Sequence, residues 1–113
     1  MSSSASAPQR LVQTSPDVRA AVLVDAAGAL LDCSDADRDR SRRLAELAHG
    51  LVEAADAAAS EPTEQIEAQA ADGMVFVMRD SRGALACVAR RLALPALVLY
   101  DLRETLRAER AMA

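Results

Sequence analysis

The chain has no lysine and no tryptophan, and its aromatic side chains amount to Phe76 and Tyr100. Its 13 basic residues are therefore all arginine, outnumbered by 17 acidic ones for a net charge of -4. Without lysine no phosphate-binding loop of the form G-x-x-x-x-G-K-[ST] can be written, so the chain is not itself a P-loop nucleotidase. With neither a cationic surplus nor a set of stacking rings it also lacks what nucleic-acid binding requires, and no nucleic-acid partner is expected.

Other absences narrow the field further. No apolar run approaches the ~20 residues of a membrane span, and Met1 to Pro8 lacks the apolar core of a secretory signal, so a cytoplasmic setting is expected. Cys33 and Cys87 sit inside apolar, strand-like runs and read as small buried hydrophobes in a reduced compartment. His49, the single histidine, has Glu53 one turn on, but alone it cannot assemble a zinc site, and no metal or cofactor is expected. Serine, histidine and aspartate coexist without a nucleophile elbow, G-x-S-x-G, and no convergent set of titratable groups is visible. No catalytic residue is assigned, and the chain reads as a non-enzyme. Abundant alanine, with arginine in place of lysine, matches the codon bias of a GC-rich bacterial genome, which weakens the meaning of any one alanine or arginine.

What remains is a pattern of apolar runs and turns. At 113 residues the chain makes one domain, which buries roughly two-thirds of its unfolded surface, enough for one core. Residues 1–16, rich in Ser, Ala and Pro, read as a flexible tail with a short helical possibility over Gln9 to Gln13, and the domain proper spans 17–110. Arg19 to Val24 and Ala29 to Cys33 form a hairpin around Gly28, which supplies the positive φ that a tight turn needs. Both strands are apolar on both faces, so their sheet is covered twice.

Ser34, Asp35, Asp37 and Asp39 are helix-capping residues. After them Leu44, Leu47, Ala48, Leu51, Val52, Ala55 and Ala58 hold the helical period until Ser60-Glu61-Pro62 ends it. The core stripe of this helix centres on Leu44, Leu51 and Ala55. Glu64 to Ala71 then alternates, with Gln65, Glu67 and Gln69 on a wet side and Ile66, Ala68 and Ala70 on the other, as an edge strand does. The turn signals Asp72-Gly73 and Ser81-Arg82-Gly83 bracket Met74 to Met78 and lead into Ala84 to Ala89, completing a three-stranded meander. Pro95 opens a last helix whose Val98, Leu99, Leu102 and Leu106 share a face up to Arg107, beyond which the end frays.

The order β-β-α-β-β-β-α, with the hairpin Ala21 to Leu31, the helix from Leu44, the strand pair Gly73 to Ala89 and the closing Leu97-Val98-Leu99-Tyr100-Asp101-Leu102-Arg103, resembles the roadblock/LC7 family. That resemblance implies an α+β, profilin-like sandwich. A five-stranded antiparallel sheet in the order 2-1-5-4-3 would carry the long central helix on one face and the terminal helix or helices on the other. It also implies a homodimer built by pairing third strands and laying central helices side by side, and a non-catalytic role in regulating or scaffolding a Ras-like small GTPase. The two cysteines would lie on strands separated by strand 1, too far apart for a disulfide. The chain departs from the family in its short first helix, which would leave part of one sheet face uncovered. An alternative is a small sensor that binds a metabolite in the pocket so left.

The central helix carries the candidate interface. Leu47, Gly50, Ala54 and Ala57 form a flank that is small without being strongly polar, and Gly50 costs about 1 kcal/mol relative to alanine in a helix interior. One reading is a second helix or a GTPase packed closely there, with Gln65, Glu67 and Gln69 on the adjoining edge strand. The competing reading is an alanine-rich solvated face. Arg38, Arg40, Arg42 and Arg43 invite comparison with a phosphate patch or an arginine finger, but Asp35, Asp37 and Asp39 interleave with them as in an ordinary solvated helix start.

Overall fold

The structure is a computed structural model and describes residues 5–71 and 73–112. The first four residues of the expected tail, and Asp72 of the expected Asp72-Gly73 turn, lie outside the described residues. Eight elements follow one another: α1 (Ala7–Thr14), β1 (Val18–Asp25), β2 (Leu30–Cys33), α2 (Arg38–Ala58), β3 (Gln65–Ala70), β4 (Gly73–Asp80), β5 (Gly83–Ala89) and α3 (Pro95–Met112). The strands make one antiparallel sheet in the order β2-β1-β5-β4-β3.

The three inner strands bury both of their faces. Val22, Val24, Val75, Val77, Ala84 and Ala86 form one core with Leu44, Ala45 and Ala48 of α2. On the other face Leu23, Phe76, Leu85 and Cys87 pack with Leu11 of α1 and with Val98, Leu102 and Leu106 of α3. Burial in this second core pushes the Cys87 thiol up to about 12, which leaves it neutral and inert. Cys33 pairs with Val22 while Cys87 pairs with Ala21, so β1 separates two free thiols that also point to opposite faces.

The turn between β1 and β2 is tied by Asp25, whose Oδ1 accepts from the N-H groups of Ala27 and Ala29 at 2.9 Å each. Gly28 sits there at φ 89°, and the His49 ring covers it so closely that a Cβ would come within 2.6 Å of the imidazole. In α2, Asp37 is the N-cap, its carboxylate accepting from the Arg40 N-H at 3.1 Å. The buried line of α2 runs through Ser41, Leu44, Ala45 and Ala48, with Leu51 and Ala55 half-buried. The expected stripe is therefore rotated toward the smaller residues, because the sheet face beneath is alanine and valine and the helix backbone settles close to it. Ser41 Oγ is buried there without a partner.

Two expectations about the ends need correction. The segment read as a flexible tail with a short helical possibility does hold a short helix, α1, of eight residues, but an ordered and packed one, opened by a capping box in which Ser6 and Gln9 each bond the other's backbone N-H, at 3.4 and 3.0 Å. Ala7, Pro8 and Leu11 of this helix are buried, Leu11 completely, so α1 covers its part of that sheet face. The second correction is at the other end, where α3 does not fray after Arg107 but continues to Met112. It is held there by Arg110 on Asp80 at 2.7 Å and by Glu109, which accepts from Arg10 of α1 at 3.3 Å.

Leu11→Ala should lower the unfolding free energy by about 2–5 kcal/mol, the range for a buried leucine that leaves a cavity. Urea unfolding followed by circular dichroism checks this, and an unchanged midpoint would return α1 to the status of a tail.

Candidate interaction surface

Among the described residues no group of three or more His, Cys, Asp or Glu side chains is placed to hold a metal ion. His49 covers Gly28 and faces Glu53 at 3.5 Å, beside a hollow of about 90 Å³ under α2, room for a few water molecules. The larger hollows, about 1000 Å³ beside Thr63 and Arg79 and about 300 Å³ between Gln65, Met78 and Arg103, are open at the surface, so the candidate surface is a face rather than an enclosed cleft.

Leu47, Gly50, Ala54 and Ala57 all lie exposed on α2, and Leu47 is 47% exposed despite its apolar side chain. A Cβ built on Gly50 meets no atom of the described residues within 4 Å beyond its own helical turn, so no packing contact among them calls for glycine at that position. Arg38, Arg42, Ala45 and Glu46 enclose a hollow with Gly28 and Leu30, which turns that side of α2 toward β2. By helical geometry Leu47 and Ala54 then lie on the side of β4 and β3.

The edge residues lie elsewhere. Gln65, Glu67 and Gln69 pair with Met78, Phe76 and Met74, all of the face covered by α1 and α3, while Ile66 and Ala68 point to the face covered by α2. Gln65 accepts from Arg103 of α3 at 3.2 Å. The two groups of candidate residues thus occupy opposite faces of one sheet edge, and the backbone of β3 is what joins them. Among the described residues β4 is the only strand hydrogen-bonded to β3, which leaves the outer side of β3 open there.

Two arginine clips fix this edge. Arg79 of β4 reaches both carboxylate oxygens of Asp56, at 2.6 and 2.7 Å, and the Thr63 N-H donates to the same carboxylate at 3.2 Å. Asp56 lies near the C-terminus of α2, the negative end of the helix dipole, where a carboxylate needs a cation. The clip secures the end of α2 over β4 and the approach to β3. Arg110 makes the matching contact to Asp80, at 2.7 and 2.9 Å, so that α3 is pinned to the β4–β5 turn. The Arg79 hydrogen bond holds the Asp56 carboxyl below its ordinary value, and the Arg110 hydrogen bond does the same for Asp80. Pattern reading of the sequence missed both clips, since each partner is distant in the chain and neither falls in a motif.

The arginines at the start of α2 are exposed, with only long contacts from Arg40 to Asp35, 3.8 Å, and from Arg42 to Asp39, 3.9 Å. This is a solvated helix start. Tyr100 is 56% exposed.

The model of the Roadblock/LC7 domain matches residues 8–90. The chain belongs to the Roadblock/LC7 family. Its fold is similar to that of a Roadblock/LC7 domain from Streptomyces avermitilis, with TM-score 0.85 and 25% identity over 94% of this chain and 93% of that one. It is also similar to a gliding protein, MglB, from Thermus thermophilus, with TM-score 0.75 and 20% identity over 98% and 93% of the two chains. MglB from Myxococcus xanthus shares the fold at TM-score 0.69 and 14% identity, over 94% and 91%. No curated protein sequence matches the chain. Roadblock/LC7 membership agrees with the observed strand order and with the layers of helices.

The stability that both clips contribute is complete above the unfolded carboxylate value, about 3.9, and is lost as pH falls through the lower folded values. An Arg79→Gln, Arg110→Gln double variant should therefore unfold at lower urea than the parent at neutral pH, and the gap should close below about pH 4. Midpoints measured across that range decide it, and a gap independent of pH would contradict the assignment.

Proposed function

We propose that this Roadblock/LC7 domain is a non-catalytic, dimeric regulator or scaffold of a Ras-like small GTPase. The observation that carries the reading is the exposed flank of Leu47, Gly50, Ala54 and Ala57 beside the open edge of β3. A glycine with free space around it, between small side chains, suits a second helix backbone in close approach. Strand addition at β3 would bring two copies of α2 side by side and occupy an edge that otherwise invites aggregation. The step from such a dimer to a GTPase rests on family likeness, with the flank and its neighbouring loops as the surface offered. Arg42 is not needed as a finger in this reading, and the domain would act by holding the GTPase or by biasing its nucleotide cycle.

The test is affinity capture from the source cell's lysate with GDP and with a non-hydrolysable GTP analogue, followed by mass spectrometry. A P-loop GTPase retained in one nucleotide state is the expected result; none in either state overturns the GTPase part.

The dimer is tested separately. Ala54→Arg should stay folded by circular dichroism yet associate about tenfold more weakly or less in light scattering, because a bulky charge stands where a helix must approach. An unchanged oligomer removes the flank from the interface.

A further inference from the structure

The most exposed large apolar side chain among the described residues, Leu92, opens a run of exposed ones. Leu92 is 92% exposed at the tip of the turn after β5, and Leu94, Leu97 and Tyr100 follow at 61%, 58% and 56% where α3 begins. The turn is a fixed feature: the Ala93 N-H donates to the Arg90 carbonyl at 3.0 Å, and Ala93 is buried in the core. Leu92 is thus held outward by an ordered turn whose next residue is anchored.

Charge gathers at the same end of the sheet. Val18 pairs with Ala89, so the start of β1 meets the end of β5, which Arg90 and Arg91 follow directly, while Arg19, at the register break before Ala20, lines a hollow with Asp35, Arg40 and Ser41 on the α2 side. Arg19 and Arg91 are exposed and make no ion pair among the described residues. Arg90 shares Asp17 at 3.6 Å, and half-buried Asp101 is the carboxylate nearest the leucines along α3. An acidic protein of net charge -4 therefore sets two exposed arginines, Arg90 and Arg91, directly before its most exposed apolar side chain, Leu92.

Three leucines and one ring expose on the order of a few hundred Å², whereas a stable protein interface takes roughly 800 Å² from each partner. The area is too small for a second folded chain to hold by itself. It matches shallow insertion at a bilayer surface, where leucine enters the acyl boundary, a tyrosine ring sits at headgroup level and arginine meets phosphate.

We propose that this end of the molecule docks on an anionic lipid surface, with Leu92, Leu94 and Leu97 entering the headgroup boundary and Arg90 and Arg91 contacting lipid phosphates. Docking there leaves the α2 flank free, since α3 and α2 cover opposite faces of the sheet.

Flotation of the full chain with phosphatidylglycerol vesicles, and in parallel with phosphatidylcholine vesicles, tests this. The expected result is recovery with the anionic vesicles, weakened by salt and by Arg91→Gln, and reduced about tenfold or more by Leu92→Asp with Leu97→Asp. Both leucines are exposed, so circular dichroism of the double variant should match the parent, and Leu92→Asp alone serves as the second variant. No recovery with either vesicle overturns the proposal, as does recovery that the leucine substitutions leave intact. Light scattering adds a third overturning outcome: an oligomer that these substitutions dissolve would make the tip a contact between protein chains.

Discussion

The architecture follows from one constraint, that β1, β4 and β5 are apolar on both faces. Such strands cannot lie at a surface on either side, so the chain must supply two layers of cover. The two faces differ in depth. One is valine and alanine, shallow enough for a single helix whose own contacts are Ala45, Ala48 and Leu44. The other carries Phe76, Leu85, Leu23 and Met78 and takes two helices, which deliver Leu11, Val98, Leu102 and Leu106. This asymmetry leaves α2 alone on its side, with its outer flank uncovered. The solitary position of α2 gives the small flank its interest.

Much of this was legible from pattern alone. The alternation of Gln65 to Ala70, the punctuation by Gly28 and Gly83, and the unbroken helical period after Asp37 reflect local geometry, which sequence reports directly. The strand order was available only through family resemblance, because pairing of β1 with β5 joins residues far apart in the chain. The first helix was under-read for a different reason. With only Ala7, Pro8 and Leu11 on its buried face, its apolar signal is weak, but the Ser6-x-x-Gln9 box was a start signal in plain view.

The candidate surface was legible in composition and illegible in arrangement. A helical wheel groups Leu47, Gly50, Ala54 and Ala57, and all four are exposed. What the wheel cannot place is the sheet beneath, and that sheet puts the wet side of β3 on the opposite face, where Gln65 meets Arg103. The clips at Asp56 and Asp80 escape for a related reason. They join side chains that tertiary packing alone brings together, and one cation facing one carboxylate leaves no mark on local periodicity.

The two sheet edges are unequal, and this bears on which of them a second copy would use. β2 has four residues and a register break opposite Leu23 and Val24 that leaves Leu31 without a partner and 53% exposed. Just past its end the Ser34 hydroxyl accepts the Ala21 N-H at 2.8 Å, doing for β1 what another strand residue would have done. A short, bulged edge closed by a side chain is poorly suited to strand addition. β3, by contrast, pairs with β4 residue for residue from Gln65 to Ala70 without a shift, and has no proline or lysine along its length. Glu67 is its only charge, and under two-fold antiparallel pairing a charge meets its own copy only where the axis passes through it. A register centred on Ala68, which sets Glu67 opposite the partner's Gln69, avoids that contact, so the edge with the fewest defences is also the one that a symmetric partner can occupy at least electrostatic cost.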